Sequence, residues 1–134
     1  MTDLEGGLMK TLGMRIERAS EDECVITWDV DERHHQPMGI VHGGVYCAAV
    51  ESACSIGATL SARAIDPNLL AVGLDNSTSF VRAVRSGTLR CIAKPITRGR
   101  TTQLWEATVL DEGDRVLARG QLRLLCVPSD RKLG

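Results

Sequence analysis

The stretch "GIVHGGVYCAAVESACSIGATLSA", Gly39–Ala62, holds a single carboxylate, Glu51, among apolar, small and neutral residues. The run from Val45 to Ala64 is long enough to raise the question of a membrane. Glu51 and Arg63 interrupt it, and Ala, Ser and Gly take the places that Leu, Ile and Phe would hold in a span. It reads instead as a helix buried in protein, opened by Gly43-Gly44 and running to about Ala64. A helix that is apolar around most of its circumference must be wrapped by something.

The flanking sequence supplies the wrapping. Leu4, Leu8, Met9 and Leu12 fall at helical spacing and predict a short first helix, with Gly13 near its end and Gly6-Gly7 weakening it. Met14–Ala19 alternates and Cys24–Val30 is rich in β-branched and aromatic residues, so two strands are expected, joined at Ser20–Glu23. Asp31–Val41 is a polar loop. After the helix, Asp66-Pro67-Asn68 breaks the chain. Four more strands follow, roughly 69–84, 87–97, 101–111 and 115–127, with turn residues at Arg85–Gly87, Thr97–Gly99 and Asp111–Asp114. Residues 128–134 read as a flexible tail. The order is two strands, one long helix, four strands. It predicts an α+β domain over 1–134, a curved antiparallel sheet wrapped around a central helix. The helix's open side then invites a second subunit.

Composition narrows the function. The chain has 134 residues and a formal net charge of −1, which argues against a polyanion-binding surface. Aromatics make up 3%, too few for platforms that stack on nucleic-acid bases. The five cysteines include no CxxC pair, so zinc ribbons and redox motifs are not indicated. No secretory signal opens the chain. Reduced thiols in the cytoplasm are the expectation.

An ionised carboxylate in an apolar site carries a heavy desolvation cost. Glu51 therefore either faces solvent, pairs with an arginine, or serves a site. Ser55, four residues on, shares its helix face and either orients the acid or bonds back to the helix. His42-Gly43-Gly44 sits where the helix begins. Free N–H groups there carry partial positive charge and suit a developing oxyanion; equally, the glycines suit a tight turn. His34, His35 and His42 raise the idea of a metal, but no tight ligand spacing supports it. Arg82, Arg85, Arg98 and Arg100, with Thr101 and Thr102, stand near turns and offer donors for phosphates. Asp75 and Asn76 receive no role.

Taken together, Gln36, Gly39, His42-Gly43-Gly44, Glu51 and Ser55 resemble the hotdog-fold acyl-CoA thioesterases, in the branch that places a glutamate on the central helix. Val72–Arg82 and the segment from Ala93 to Leu125 resemble that family's later strands. The resemblance implies a hotdog fold and hydrolysis of acyl-CoA. Gln36 and the Gly43 N–H would hold the thioester carbonyl, and Glu51 would attack it or activate water. Ser55 would assist and His42 would support the loop. Coenzyme A would be held by Arg82, Arg100, Thr101 and Thr102. No metal or cofactor is implied, since coenzyme A is part of the substrate. Nor is a nucleic-acid or membrane partner. A homodimer is expected, paired again into a homotetramer, with the site at the dimer seam. Two rivals are a hotdog dehydratase or hydratase and a non-catalytic acyl-CoA binder. The first would need a histidine where Pro37 stands, and the second has no need of Glu51.

Overall fold

The helix predicted from the opening stretch spans Gly43–Ile65 in the computed structural model, which describes residues 3–134. We call it α2. It is long and apolar enough to cross a membrane, but 67% of that stretch is buried inside the protein, as in the core helix of a soluble fold. Before it come α1 (Leu8–Thr11), β1 (Arg15–Ala19), β2 (Cys24–Asp29) and a 3₁₀ turn at Glu32–His34. After it come β3 (Leu69–Phe80), β4 (Thr88–Arg98), β5 (Thr102–Leu110) and β6 (Val116–Pro128). All six strands join one antiparallel sheet in the order β1-β2-β4-β5-β6-β3. The chain leaves α2 into the far edge strand, β3, then crosses back to lay β4 beside β2.

The composition of α2 follows from what it touches. Successive strand residues face opposite sides of a sheet. On the helix side lie Cys24, Ile26 and Trp28 from β2, Leu89, Cys91 and Ala93 from β4, Trp105, Ala107 and Val109 from β5, and Leu122 and Leu124 from β6, all buried. The sheet supplies the bulk, so the helix must supply the hollows. Ala49, Ala53, Cys54, Gly57 and Ala58 are its buried face. At Gly57 the fit is close: a Cβ there would stand 2.5 Å from the Trp105 ring. Trp105 donates its indole N–H to Gln103 Oε1 at 2.7 Å, and Gln103 Nε2 donates to the Ala58 carbonyl at 3.3 Å. A buried amide thus joins the strand to the helix with both its ends engaged.

Several boundaries differ from expectation for local reasons. The first helix begins only at Leu8, because Gly6 and Gly7 disfavour the turn before it. The third strand ends at Phe80 rather than Val84. There the N–H groups of Val81 and Arg82 both donate to the Leu117 carbonyl and the chain peels off the sheet. The tail begins later than expected: Pro128 belongs to β6, and the Ser129 N–H donates to the Asn68 carbonyl at 2.6 Å. Met1 and Thr2, within the expected domain range, lie outside the described residues.

Burial sets the state of three thiols. It pushes Cys24 up to about 12, and Cys54 and Cys91 well above the ordinary thiol value. Thiolate is the reactive form. We expect a thiol-specific disulfide reagent at pH 8 to modify at most two of the five cysteines, Cys47 and Cys126, in the folded protein, and all five after denaturation. Titration of three or more native thiols would contradict the buried core described here.

Candidate active site

The loop between β2 and α2 is held by its histidines. His34 is fully buried. Its Nδ1 accepts the Asp31 N–H at 2.9 Å, so Nε2 carries the proton and donates to the Leu12 carbonyl at 2.7 Å. His35 Nε2 donates to the Arg85 carbonyl at 2.8 Å. His42 caps α2: its Nδ1 accepts the Gly44 N–H at 2.7 Å. Each ring nitrogen engaged in this way ties backbone to backbone. Among the described residues, no group of three or more His, Cys, Asp or Glu side chains gathers as potential metal ligands.

With Gly44 capped by His42, the Gly43 N–H stands free at the positive end of the helix. It borders a pocket of about 350 Å³ lined by Gln36, Ile40, Val41, Tyr46, Phe80, Val81 and Arg82 among others. The Gln36 Oε1 accepts the Met38 N–H, which leaves the Nε2 hydrogens as the donors the side chain has to offer. Gly43 and Gln36 therefore share one mostly apolar pocket. The Phe80 ring lies so close to Gly43 that a Cβ there would stand 2.7 Å from it. Tyr46 forms a tilted pair with Phe80, ring centroids 6.1 Å apart. Burial pushes the Tyr46 phenol up to about 12, so it stays protonated. Met38, in the same loop as Gln36, is 71% exposed and lies outside the lining.

Glu51 occupies a different place. Its carboxylate turns toward β3, where Asn76 Nδ2 donates to Oε1 at 3.2 Å and to the Cys47 carbonyl at 3.0 Å. Oε2 points at Gly73, where a Cβ would stand 2.1 Å away. The partner of the acid is thus Asn76, with no hydrogen bond between Glu51 and Ser55. Eight residues separate Gly43 from Glu51. At 1.5 Å per residue their backbones lie about 12 Å apart along the helix. The strand gives a matching measure, since Phe80 beside Gly43 and Asn76 beside Glu51 are about 13 Å apart along β3.

The phosphate-binding candidates divide. Arg82 lines the Gly43 pocket. Arg100, Thr101 and Thr102 sit at the β4–β5 turn, at the opposite end of the sheet, where Thr102 pairs with Leu125 and Leu125 with Val72. The four arginines therefore do not form one cluster within a chain. Arg98 is engaged by Asp22 at 2.8 Å and Arg85 by the Met38 carbonyl at 2.9 Å. Ala49 and Ala53, near Glu51 in the helix, are packed into the core.

Asn76 was missed by sequence reasoning because strict alternation does not place it. In β3 Gly73 pairs with Leu124 and Asp75 with Arg123, so Leu74 is an extra residue, a β-bulge. The bulge resets the phase of the strand and turns both Gly73 and Asn76 toward the helix. The one available signal was a glycine inside a strand, followed by Asp-Asn.

The sequence profile of the thioesterase superfamily matches residues 38–118. The chain belongs to the thioesterase superfamily. Its reaction class is thioester hydrolysis, and the matched residues carry Gly43, Glu51, Ser55 and Asn76. A Mycobacterium tuberculosis protein named as an esterase is 42% identical over 84% of this chain and 81% of its own. The solved structure of that protein superposes with a TM-score of 0.86 at 38% identity, covering 91% of this chain and 97% of the other. A 1,4-dihydroxy-2-naphthoyl-CoA hydrolase of Listeria monocytogenes is 34% identical over 83% of this chain and 88% of its own. A thioesterase structure from Haemophilus influenzae gives a TM-score of 0.87 at 30% identity, covering 96% of this chain and 88% of the other. The expected hotdog fold is the fold of this thioesterase-superfamily member.

Proposed function

We propose that this thioesterase hydrolyses aryl-CoA thioesters in a site completed by a second copy of the chain. The observation that carries the reading is the pairing of two unspent donors, the Gly43 N–H and the Gln36 amide, on one apolar pocket. Donors so placed polarise a thioester carbonyl and stabilise the oxyanion formed on attack. Glu51 supplies the carboxylate, either by adding to the carbonyl carbon or by taking a proton from attacking water. The Phe80–Tyr46 pair and the aliphatic lining suit a flat aromatic acyl group. The named activity of the Listeria relative, on an aromatic acyl-CoA, agrees with that choice. No cofactor is needed, because coenzyme A leaves as the thiol. Acyl-CoA and reduced cysteines both suit a cytoplasmic setting.

The separation of Gly43 from Glu51 favours a shared site. A reacting carbon must lie about 3–3.5 Å from the attacking atom. Two copies related by a two-fold axis level with Cys47, midway between the two residues, would bring Gly43 of one level with Glu51 of the other. The same axis would run beside β3, whose outer edge is unpaired in the sheet. It would also bring the partner's Arg100–Thr102 turn to the end of the sheet where Arg82 lies, closing the gap between the phosphate-binding candidates. A homodimer follows, and a further pairing into a tetramer is compatible with it.

Complementation tests this reading. Wild type is expected to release thiol from benzoyl-CoA or a hydroxylated naphthoyl-CoA, and E51Q and Q36A to be strongly impaired. Co-expressed in equal amounts, the two variants form mixed dimers in which one site carries both lesions and the other neither. Activity should recover to about a quarter of wild type for random pairing. Binding of acyl-CoA by wild type without thiol release would overturn the hydrolase reading. Two impaired variants that fail to recover although mixed dimers form would overturn the shared site.

A further inference from the structure

We infer that Asn76 is the positioning residue for the catalytic carboxylate, and that the bulge at Leu74 exists in the fold to place it. The inference rests on the reading of Glu51 given above. It goes beyond that reading by assigning the group that holds the acid.

Every polar atom of the Asn76 side chain is engaged. Nδ2 carries two hydrogens, and two acceptors that cannot donate stand within reach: Glu51 Oε1 at 3.2 Å and the Cys47 carbonyl at 3.0 Å. These two acceptors fix which end of the amide is nitrogen. Oδ1 accepts the Thr78 hydroxyl at 2.7 Å. The Cys47 carbonyl is also the acceptor of the Glu51 backbone N–H in an α-helix. Asn76 therefore grips the helical turn that carries Glu51 and the carboxylate itself. The other oxygen, Oε2, fits against Gly73, where no side chain intrudes.

The strand reaches this arrangement because Leu74 is bulged out of the pairing. In unbroken alternation Gly73 and Asp75 would face α2 together and Asn76 would face the outer side. With Leu74 inserted, Asn76 pairs with buried Leu122 and faces inward, while Asp75 pairs with exposed Arg123 and faces out. One side of the acid then meets a donor and the other rests against a glycine without a side chain. A rotamer held in this way leaves the carboxylate no reorientation to make before it reacts.

The test compares N76L, of similar volume but without a donor, and N76D, of the same shape but accepting only, in wild-type and E51Q backgrounds. Thiol release from an aryl-CoA is the readout. Each single variant is expected to lower kcat roughly 10- to 100-fold, the scale of a misplaced catalytic group, with KM changed less than about threefold. In the E51Q background N76L should lower kcat no further, because Asn76 acts through Glu51. Wild-type kcat in both N76L and N76D would overturn the inference. So would a loss that is equally large in the E51Q background, which would mark Asn76 as a general packing residue. Failure of the Glu51 reading would show separately, as an E51Q protein that retains wild-type kcat.

Discussion

Glu51→Gln is expected to lower kcat for aryl-CoA hydrolysis roughly 10²- to 10⁴-fold, the range that a positioned acid–base group contributes. At the midpoint, a thousandfold loss corresponds to about 4 kcal/mol of barrier. Glutamine keeps the length and shape of the side chain, and its carbonyl oxygen can still accept from Asn76 Nδ2, so the scaffold is left in place. What it removes is the negative charge needed to attack carbon or to take a proton. KM should change little, because Gln36 and Gly43, the donors proposed to hold the carbonyl, line a pocket that Glu51 does not. A variant within threefold of wild-type kcat would remove Glu51 from the mechanism. A variant with unchanged kcat and a much raised KM would make it a binding residue only.

Trp105→Ala is expected to cost about 3–5 kcal/mol of stability, the usual range for deleting a buried tryptophan side chain. A single domain holds about 5–15 kcal/mol in all. Trp105 is fully buried at the middle of β5 and fills the hollow that Gly57 leaves in α2. Its removal opens a cavity between helix and sheet. It also strips Gln103 Oε1 of its donor inside the core, which adds an unmet polar group to the void. The expected signature is a melting temperature lower by roughly 10–20 °C at matched protein concentration. Leu104→Ala, on the outer face of the same strand, should shift it far less. A Trp105→Ala protein less than about 1 kcal/mol below wild type would mean that the helix does not rest on this ring.

The elements were legible because their punctuation is local. Gly43-Gly44 and Asp66-Pro67-Asn68 frame α2, and Arg85–Gly87, Thr97–Gly99 and Asp111–Asp114 separate the later strands. The small residues of α2, with Glu51 and Arg63 among them, marked it as a helix buried in protein rather than a membrane span. The loop and helix that carry Gln36, Gly43 and Glu51 were legible too, from residue types at fixed spacing. What stayed hidden depends on contacts distant in sequence. Nothing near Leu69–Phe80 says that this strand crosses to the far edge and pairs with the last one. Nothing near Asn76 says that one extra residue has turned it inward. The division of Arg82 from Arg100 follows from strand register, which the turn residues do not encode.

The bulge in β3 also separates two ways in which this protein's acid can change its company. Substitution alters a side chain where it stands. Deletion of Leu74 would remove only the bulge: Gly73 would still pair with Leu124, Asp75 with Arg123 and Asn76 with Leu122, so the residues that touch Glu51 would keep their faces. Pairing Leu74 regularly, with no bulge, would instead turn Asp75 toward the helix and set aspartate opposite glutamate. What keeps the acid's company is therefore the pairing register across the bulge rather than the number of residues in the strand, and a relative one residue shorter at this point would keep the donor.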